Sequence, residues 1–421
     1  MKLKALLTGV AAVSLLALLP PSQAMAQDFG PQENYSVTER PRPEYDPIGL
    51  EVGSFRLLPY LIGDVGYYDN VFATQNNRQG DVVLGLSSGL DASSTWSRHQ
   101  LRGSFESRSD FYQRFEGESR TNYRGDVEGR LDLGRSSAIG AGGLFRRQVE
   151  PRTSPETPVN AAELVRFNSR SVFVYGYHTI NRLRLTGRLQ RTGYNFADLD
   201  TLNFGRISLA DRDRVEYEAT GRADYSVSPD TSVFFEGAWN RRDYGVIPAS
   251  GVLRNSQGQT FLVGARTNIT RLLRGEVAVG YLRQNYQQAN VDRVGSVSTR
   301  VALDYFASPL TTVRFEASRR VLDTGVLASA GLLQTDLGVQ VDHELLRNVL
   351  LHGGVGYQRQ VFRGLPRADR YVSAEAGAKY LINRKLAAGI SYRFLNGRSN
   401  DAISGRDYST NGVSLSLTVQ L

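Results

Sequence analysis

Apolar and polar residues alternate one for one along most of this chain, the period-two signature of strands whose successive side chains leave on opposite faces. Tyr123, Gly125, Val127, Gly129, Leu131 and Leu133 share one phase; Asn122, Arg124, Asp126, Glu128, Arg130 and Asp132 share the other. The split recurs at Val215, Tyr217 and Ala219 against Arg214, Glu216 and Glu218, and at Val297, Thr299 and Val301 against Ser298 and Arg300. It runs to the last residue, where Val413, Leu415, Leu417, Val419 and Leu421 oppose Ser414, Ser416, Thr418 and Gln420. The alternation predicts about eighteen strands between residues 55 and 421, in a range of sixteen to twenty, among them 96–112, 164–178 and 385–395.

The connections carry a second pattern. Asp69–Gly80 is long and Thr95 short; Gln113–Arg120 long and Gly134–Ser136 short; Glu150–Glu163 long and Thr179–Asn181 short, continuing to a long Asn396–Asp407. Long loops on one side, short turns on the other and an even strand number describe a transmembrane antiparallel up-and-down β-barrel, with the apolar phase toward lipid. A hairpin repeat agrees: Asp224–Glu236 (DYSVSPDTSVFFE) matches Asp304–Glu316 (DYFASPLTTVRFE) around a short turn, with proline where a missing donor costs the ladder nothing.

The start of the chain differs. Lys2 and Lys4, an apolar run from Ala5 to Leu19 and Ala24-Met25-Ala26 have the layout of a signal peptide over 1–26. Residues 27–53 hold Pro31, Pro41, Pro43 and Pro47 without alternation, and read as an extended periplasmic lead, with docking into a lumen as the alternative. The barrel then occupies 54–421, with both of its ends on the periplasmic side.

Composition sharpens the charged phase. The chain has no cysteine, so no disulfide holds it, and its lysines are only Lys2, Lys4, Lys379 and Lys385, which makes its cationic surface almost all arginine. The mean hydropathy of −0.32 resembles a water-soluble protein, but alternating strands escape such an average. The expected lumen lining is Arg102, Glu106, Arg124, Asp126, Glu128, Arg130, Arg188, Arg214, Glu216, Glu218, Arg222, Glu236, Arg300, Asp304, Arg314 and Glu316. Arginine's planar fork suits a structural ladder of pairs with carboxylates, and equally a path that favours anions. The tyrosines near strand ends, such as Tyr67, Tyr175, Tyr177, Tyr225, Tyr281, Tyr305, Tyr357, Tyr380 and Tyr392, suggest aromatic girdles.

No constellation for catalysis stands out. Of His99, His178, His343 and His352 only the last has lumen phase, and it lacks a serine and carboxylate to form a triad. Asp198 with Asp200, and Asp211 with Asp213, are at most a weak divalent-cation motif. Gly140–Gly143 is not followed by the Gly-Lys-Ser/Thr ending of a phosphate loop. Arginines matched by acids make no nucleic-acid patch. No cofactor, metal site or enzyme activity is expected.

The stretch RPRPEYDPIGLEVGSFRLLPYLIGDVGYYDNVFAT, Arg40 to Thr74, with its Asp69-Asn70 step, resembles the opening segment of the Putative β-barrel porin 2 group of Gram-negative outer-membrane proteins. The resemblance implies an outer-membrane barrel and an association with exopolysaccharide production or export; it brings no established substrate or site residues. The expected function is passive passage of small hydrophilic or anionic solutes. The alternative is a non-conducting structural or partner-binding barrel. Expected partners are outer-membrane lipid and lipopolysaccharide, the outer-membrane assembly machinery, which would read the C-terminal phase Val413, Leu415, Leu417, Val419 and Leu421, and exopolysaccharide or its export machinery.

Overall fold

The computed structural model describes residues 35–158, 160–247, 251, 254–270, 272–288, 293–326, 329–401 and 405–421. The expected signal peptide and the lead as far as residue 34 lie outside the described residues.

Eighteen antiparallel strands pair in sequence order, from the first, Phe55–Tyr68, to the last, Tyr408–Gln420. The ring closes because the first strand pairs with the second on one edge and with the eighteenth on the other, Tyr60 opposite Gln420 through Tyr68 opposite Gly412. Closure leaves no open edge, which the bilayer interior would not tolerate. Leu50–Val52 folds back on the start of the first strand as a short outer rung. Among the described residues there is no α-helix.

The two phases separate as the alternation predicts. Leu61, Val65, Leu84, Leu86, Val127, Val172, Leu189 and Val263 are exposed on the outside. Val413, Leu415, Leu417, Val419 and Leu421 join them at 40–54 % exposure, while Ser414, Thr418 and Gln420 between them are buried. The second phase faces inward, as side-chain contacts between distant strands prove. Arg222 on the eighth strand, Arg214–Ser228, reaches Glu276 on the eleventh, Leu273–Tyr286. Strands lie about 4.8 Å apart, so groups three strands away meet only across the concave face.

Several local expectations change. The turn expected at Thr95 alone spans residues 95–99, and the next strand starts at Gln100. Trp96 packs edge-on against Phe55, and His99 turns the chain at a φ of 65°, so the turn has structure that alternation cannot show. The seventeenth strand, Leu386–Ser399, runs past residue 395, because it keeps pairing with both neighbours up to Asp369 and Tyr408. Inside the long loop after Phe196, Leu199–Thr201 and Gly205–Ile207 form their own small hairpin. The repeated sequences share one device: each turn carries a bulge, at Ser226/Ser228 and at Phe306/Ser308.

Tyr175 and Tyr177 depart from the girdle expectation. Both face inward, where the Tyr175 hydroxyl donates to Glu128 at 2.7 Å and the Arg184 guanidinium lies 3.8 Å over the Tyr177 ring. A charged partner within reach outweighs interface preference.

The described part of the lead is docked, not extended. Val37 N–H donates to Thr312 at 3.0 Å, Arg42 pairs with Glu344 at 2.6 Å, and Glu39 pairs with Arg274 at 2.9 Å. Arg347 and Arg384 donate to the carbonyls of Pro41 and Pro43. Those partners sit on the inner wall or its short turns between strands eleven and seventeen, so residues 35–47 line one side of the short-turn mouth.

Candidate permeation pathway

The inner wall sorts into three regions of different charge. On strands eight to twelve, Glu276 accepts from Arg222 at 3.0 Å, Arg266 at 2.8 Å and Arg300 at 3.1 Å. Glu236 takes Arg300 at 2.7 Å and Arg222 at 3.4 Å, while Asp224 takes Arg222 at 2.7 Å. Three guanidiniums thus face three carboxylates in one neutral network. Next to it Asp304 bridges Arg314 and Arg274, both at 2.8 Å, and Glu39 of the lead completes the set.

On strands three and four, Gln100–Tyr112 and Arg120–Asp132, Arg108 and Arg120 share the buried Asp110, and the remaining pairs are more exposed. Arg102 meets Glu128 at 2.6 Å, Arg130 meets Asp132 at 3.0 Å, and Arg124 reaches Asp126 only at 3.7 Å. Glu106, Glu218 and Glu316 are exposed and make no ion pair among the described residues.

The third region, strands five to seven, is Ser137–Val149, Arg166–Ile180 and Leu183–Phe196. Its inward phase carries Arg146, Arg184 and Arg188 and no carboxylate. Arg184 stacks on Tyr177 and Arg188 lies 3.9 Å over Phe173, so aromatic faces hold guanidiniums that no acid neutralises. Of the expected lining residues, the structure gathers Arg222, Glu236 and Arg300 into one network and joins Asp304 to Arg314. It leaves Glu106, Glu218, Glu316 and Arg188 outside any pair. Arg146 was absent from the sequence expectation; Arg146 and Arg147 are adjacent, and only the strand phase tells that the first points inward.

The long-loop mouth is crossed by residues 150–158 and 160–165. Glu156 accepts from Gly325 N–H at 2.9 Å, and Gly325 belongs to the connection eight strands further round a ring where nine is diametrically opposite. Arg212 pairs with Glu150 and with Glu156, Arg152 with Glu118 at 2.7 Å, and Arg406 donates to the carbonyls of Arg152 and Thr157. A small apolar cluster of Ala161, Val165, Phe196, Leu199 and Leu209 anchors the base of this loop. Burial raises the pKa of Glu150, and the Arg212 guanidinium opposes that rise only in part. Burial would also raise Asp323 at the same mouth, but Arg242 and Arg214, 3.3 and 3.0 Å away, hold it below the usual carboxylate range.

Three of the four loop carboxylates considered for a cation have other partners: Asp198 meets Arg206, Asp211 meets Arg254, and Asp213 accepts from Asn195 and from Phe196 N–H. Among the described residues no cluster of three metal-ligating side chains occurs.

The Asp69-Asn70 step closes the seam. Asp69 accepts from both Asn411 N–H and its side-chain amide at 2.7 Å; Asn70 donates to the carbonyls of Thr74 and Ser409 and accepts from Thr74 N–H. The family model described as Putative beta-barrel porin 2 matches residues 42–421, a span that includes this seam and all eighteen strands. The chain belongs to that family. Family and barrel geometry together make it an outer-membrane, porin-like protein.

No curated protein sequence matches the chain. Among solved structures it is similar to OccAB3 of Acinetobacter baumannii, at 12% identity and a TM-score of 0.47 over 88% of this chain and 100% of that one. It is also similar to OpdO of Pseudomonas aeruginosa, at 12% identity and a TM-score of 0.46 over 88% and 98%. The siderophore receptor PirA from Pseudomonas aeruginosa follows at 8% identity and a TM-score of 0.43, over 91% and 82%.

Proposed function

We propose that this barrel is a passive channel for small hydrophilic solutes that favours anions. The carrying observation is the inner wall of strands five to seven, where Arg146, Arg184 and Arg188 stand without a carboxylate. Elsewhere the wall is close to neutral, because most arginines are consumed by pairs. A solute carrying a carboxylate or phosphate would slide along that strip, exchanging one guanidinium for the next. The crossing loop 150–165 sets the size limit at the long-loop mouth, and residues 35–47 narrow the other.

In this proposal the long loops are extracellular and the short turns, with the lead, periplasmic. Residues 1–26 act as the export signal, and the outward phase Val413 to Leu421 is what the assembly machinery reads. Service to exopolysaccharide export is part of the same proposal; deletion of the protein should then lower secreted polysaccharide while leaving its synthesis intact.

Single-channel recording on purified protein tests the channel. Expected is a conductance whose reversal potential in a salt gradient indicates anion preference, reduced when Arg146, Arg184 and Arg188 are replaced by glutamine. A protein that never conducts, with or without residues 27–53, is instead the partner-binding barrel, a reading that the loop across one mouth and the segment docked at the other favour.

A further inference from the structure

The outward phase is apolar at the short-turn end and in the middle, and mixed at the long-loop end, where Tyr67 and Phe111 are exposed as well. Leu131, Leu185, Tyr225, Tyr305 and Tyr380 occupy it near the short turns. Near the long loops it also carries arginine: Arg147, Arg170, Arg191 and Arg283 are exposed there, each within six residues of a long loop. Such residues stand just above a lipid-facing belt about 25 Å tall, at headgroup depth.

The band is densest on strands fifteen to seventeen, Val349–Arg363, Ala368–Leu381 and Leu386–Ser399. Arg359 stands directly opposite Arg370, and Arg370 directly opposite Arg398. Directly opposed residues of one sheet face are about 5 Å apart, where like charges repel. The outward phase of these three strands holds no carboxylate to relieve that repulsion, and none of the three guanidiniums makes an ion pair among the described residues. On the inner wall outside strands five to seven nearly every arginine has found an acid, so the row is not a by-product of arginine-rich composition.

Beside Arg398 a cleft of about 360 Å³ opens under the loop after the first strand, lined by Gln75, Arg78, Asn396, Arg398, Asp407 and Ser409. Asp407 is its one acid, and it accepts a hydrogen bond from Ser399 N–H at 2.9 Å. Arg78 is exposed and, like Arg398, has no carboxylate partner among the described residues.

We propose that Arg359, Arg370 and Arg398, with Arg78 in the adjoining cleft, bind the phosphate groups of an outer-leaflet lipid on the outside of the barrel. A phosphate between two opposed guanidiniums replaces repulsion by paired charge-assisted hydrogen bonds, and the lipid's acyl chains lie against Val355, Val372 and Ile390 below. The occupant is a lipid because the row sits on the lipid-facing surface, continuous with the apolar belt. The site rests on the orientation proposed above, with the long loops outside the cell.

The test is binding of a bisphosphorylated glycolipid to the purified barrel in detergent, beside the same glycolipid with its phosphates removed. The wild type should bind only the phosphorylated form. The triple variant Arg359→Gln/Arg370→Gln/Arg398→Gln should bind it about a hundredfold more weakly. Lys385→Gln, at a short turn, should bind as wild type. The heat-dependent gel shift of folded barrels reports whether the triple variant folds; if it does not, the single variant Arg370→Gln should still weaken binding several-fold. Equal binding of the dephosphorylated lipid, an unaffected variant, or complete competition by equimolar inorganic phosphate would each overturn the proposal. Orientation is read separately: the chain has no cysteine, so Asn203→Cys in a long loop should react with an impermeant maleimide on intact cells. Failure there refutes the orientation and leaves the detergent result standing.

Discussion

Replacing Glu276 by glutamine removes the carboxylate on which three guanidiniums converge. Arg222 approaches it with two nitrogens, Arg266 with one and Arg300 with one, at 2.8–3.3 Å. The isosteric amide keeps one acceptor oxygen but no charge, so a neutral set of three cations and three anions becomes +1. Breaking a buried ion pair from one side costs about 3–5 kcal/mol. Arg222 and Glu276 are mostly covered, but the Arg300 side chain is 32 % exposed, and lumen water takes up part of the imbalance. The lower end, about 3 kcal/mol, is therefore expected, or about a hundredfold in the unfolding equilibrium. Reversible urea unfolding in lipid vesicles, followed by tryptophan fluorescence, measures it. Adding Arg300→Gln to the same chain should recover part of the loss, because the two residues belong to one network. In bilayers the single variant should also shift reversal potential toward anions. A stability loss below about 0.5 kcal/mol would refute the reasoning and make the network a set of solvated surface pairs, which typically contribute that little.

The remaining expectations concern the seam and the long-loop mouth. Asn70→Ala leaves the Ser409 carbonyl and the Thr74 N–H without their buried partner, so unfolding should become easier by about 1–3 kcal/mol, read from the temperature of the gel shift. Arg152→Gln with Arg212→Gln frees the crossing loop from Glu118, Glu150 and Glu156, and single-channel conductance should rise; an unchanged conductance would mean that the loop does not limit the path. The carboxyl of Asp323 titrates below its ordinary value in the folded protein, so its contribution to stability is full above the unfolded value and is lost as pH falls through the folded one. Wild-type stability should therefore drop below about pH 4, and the drop should be smaller in Asp323→Asn. Glu150, whose pKa is raised, contributes the opposite slope, with stability lost as pH rises through its folded value; Glu150→Gln should remove that slope alone.

Much of this architecture is legible along the chain because a barrel strand is a local object. Whether Val127 and Glu128 leave on opposite sides depends on nothing but the pleat, so alternation found the strands and sorted the residues between the two faces. Loop lengths found the two ends in the same way. Tyr175 and Tyr177 were misplaced because their phase is offset by one residue within a run of aromatic and β-branched neighbours, where both faces look apolar. The start of the third strand was missed because Trp96 and His99 continue the mixed composition while the backbone turns.

Pairing across the lumen was beyond reach of such reasoning. Arg222 and Arg188 look alike in sequence, each an arginine of inward phase beside small and polar residues. One is consumed by Glu236 and Glu276 from other strands, the other stands over Phe173 and makes no ion pair among the described residues. The docking of residues 35–47 and the path of loop 150–165 likewise depend on groups hundreds of positions away or on the opposite rim.

The sequence by itself determined the barrel, its strand number, the polarity of its two faces and the chemistry available on each, since these follow from a period of two and the bilayer's demand for satisfied backbone. Only the tertiary structure decided which charges cancel and which remain, where the mouths narrow, and that Arg359, Arg370 and Arg398 form one row. Those outcomes depend on register and closure, and register is a relation between strands that no single strand encodes.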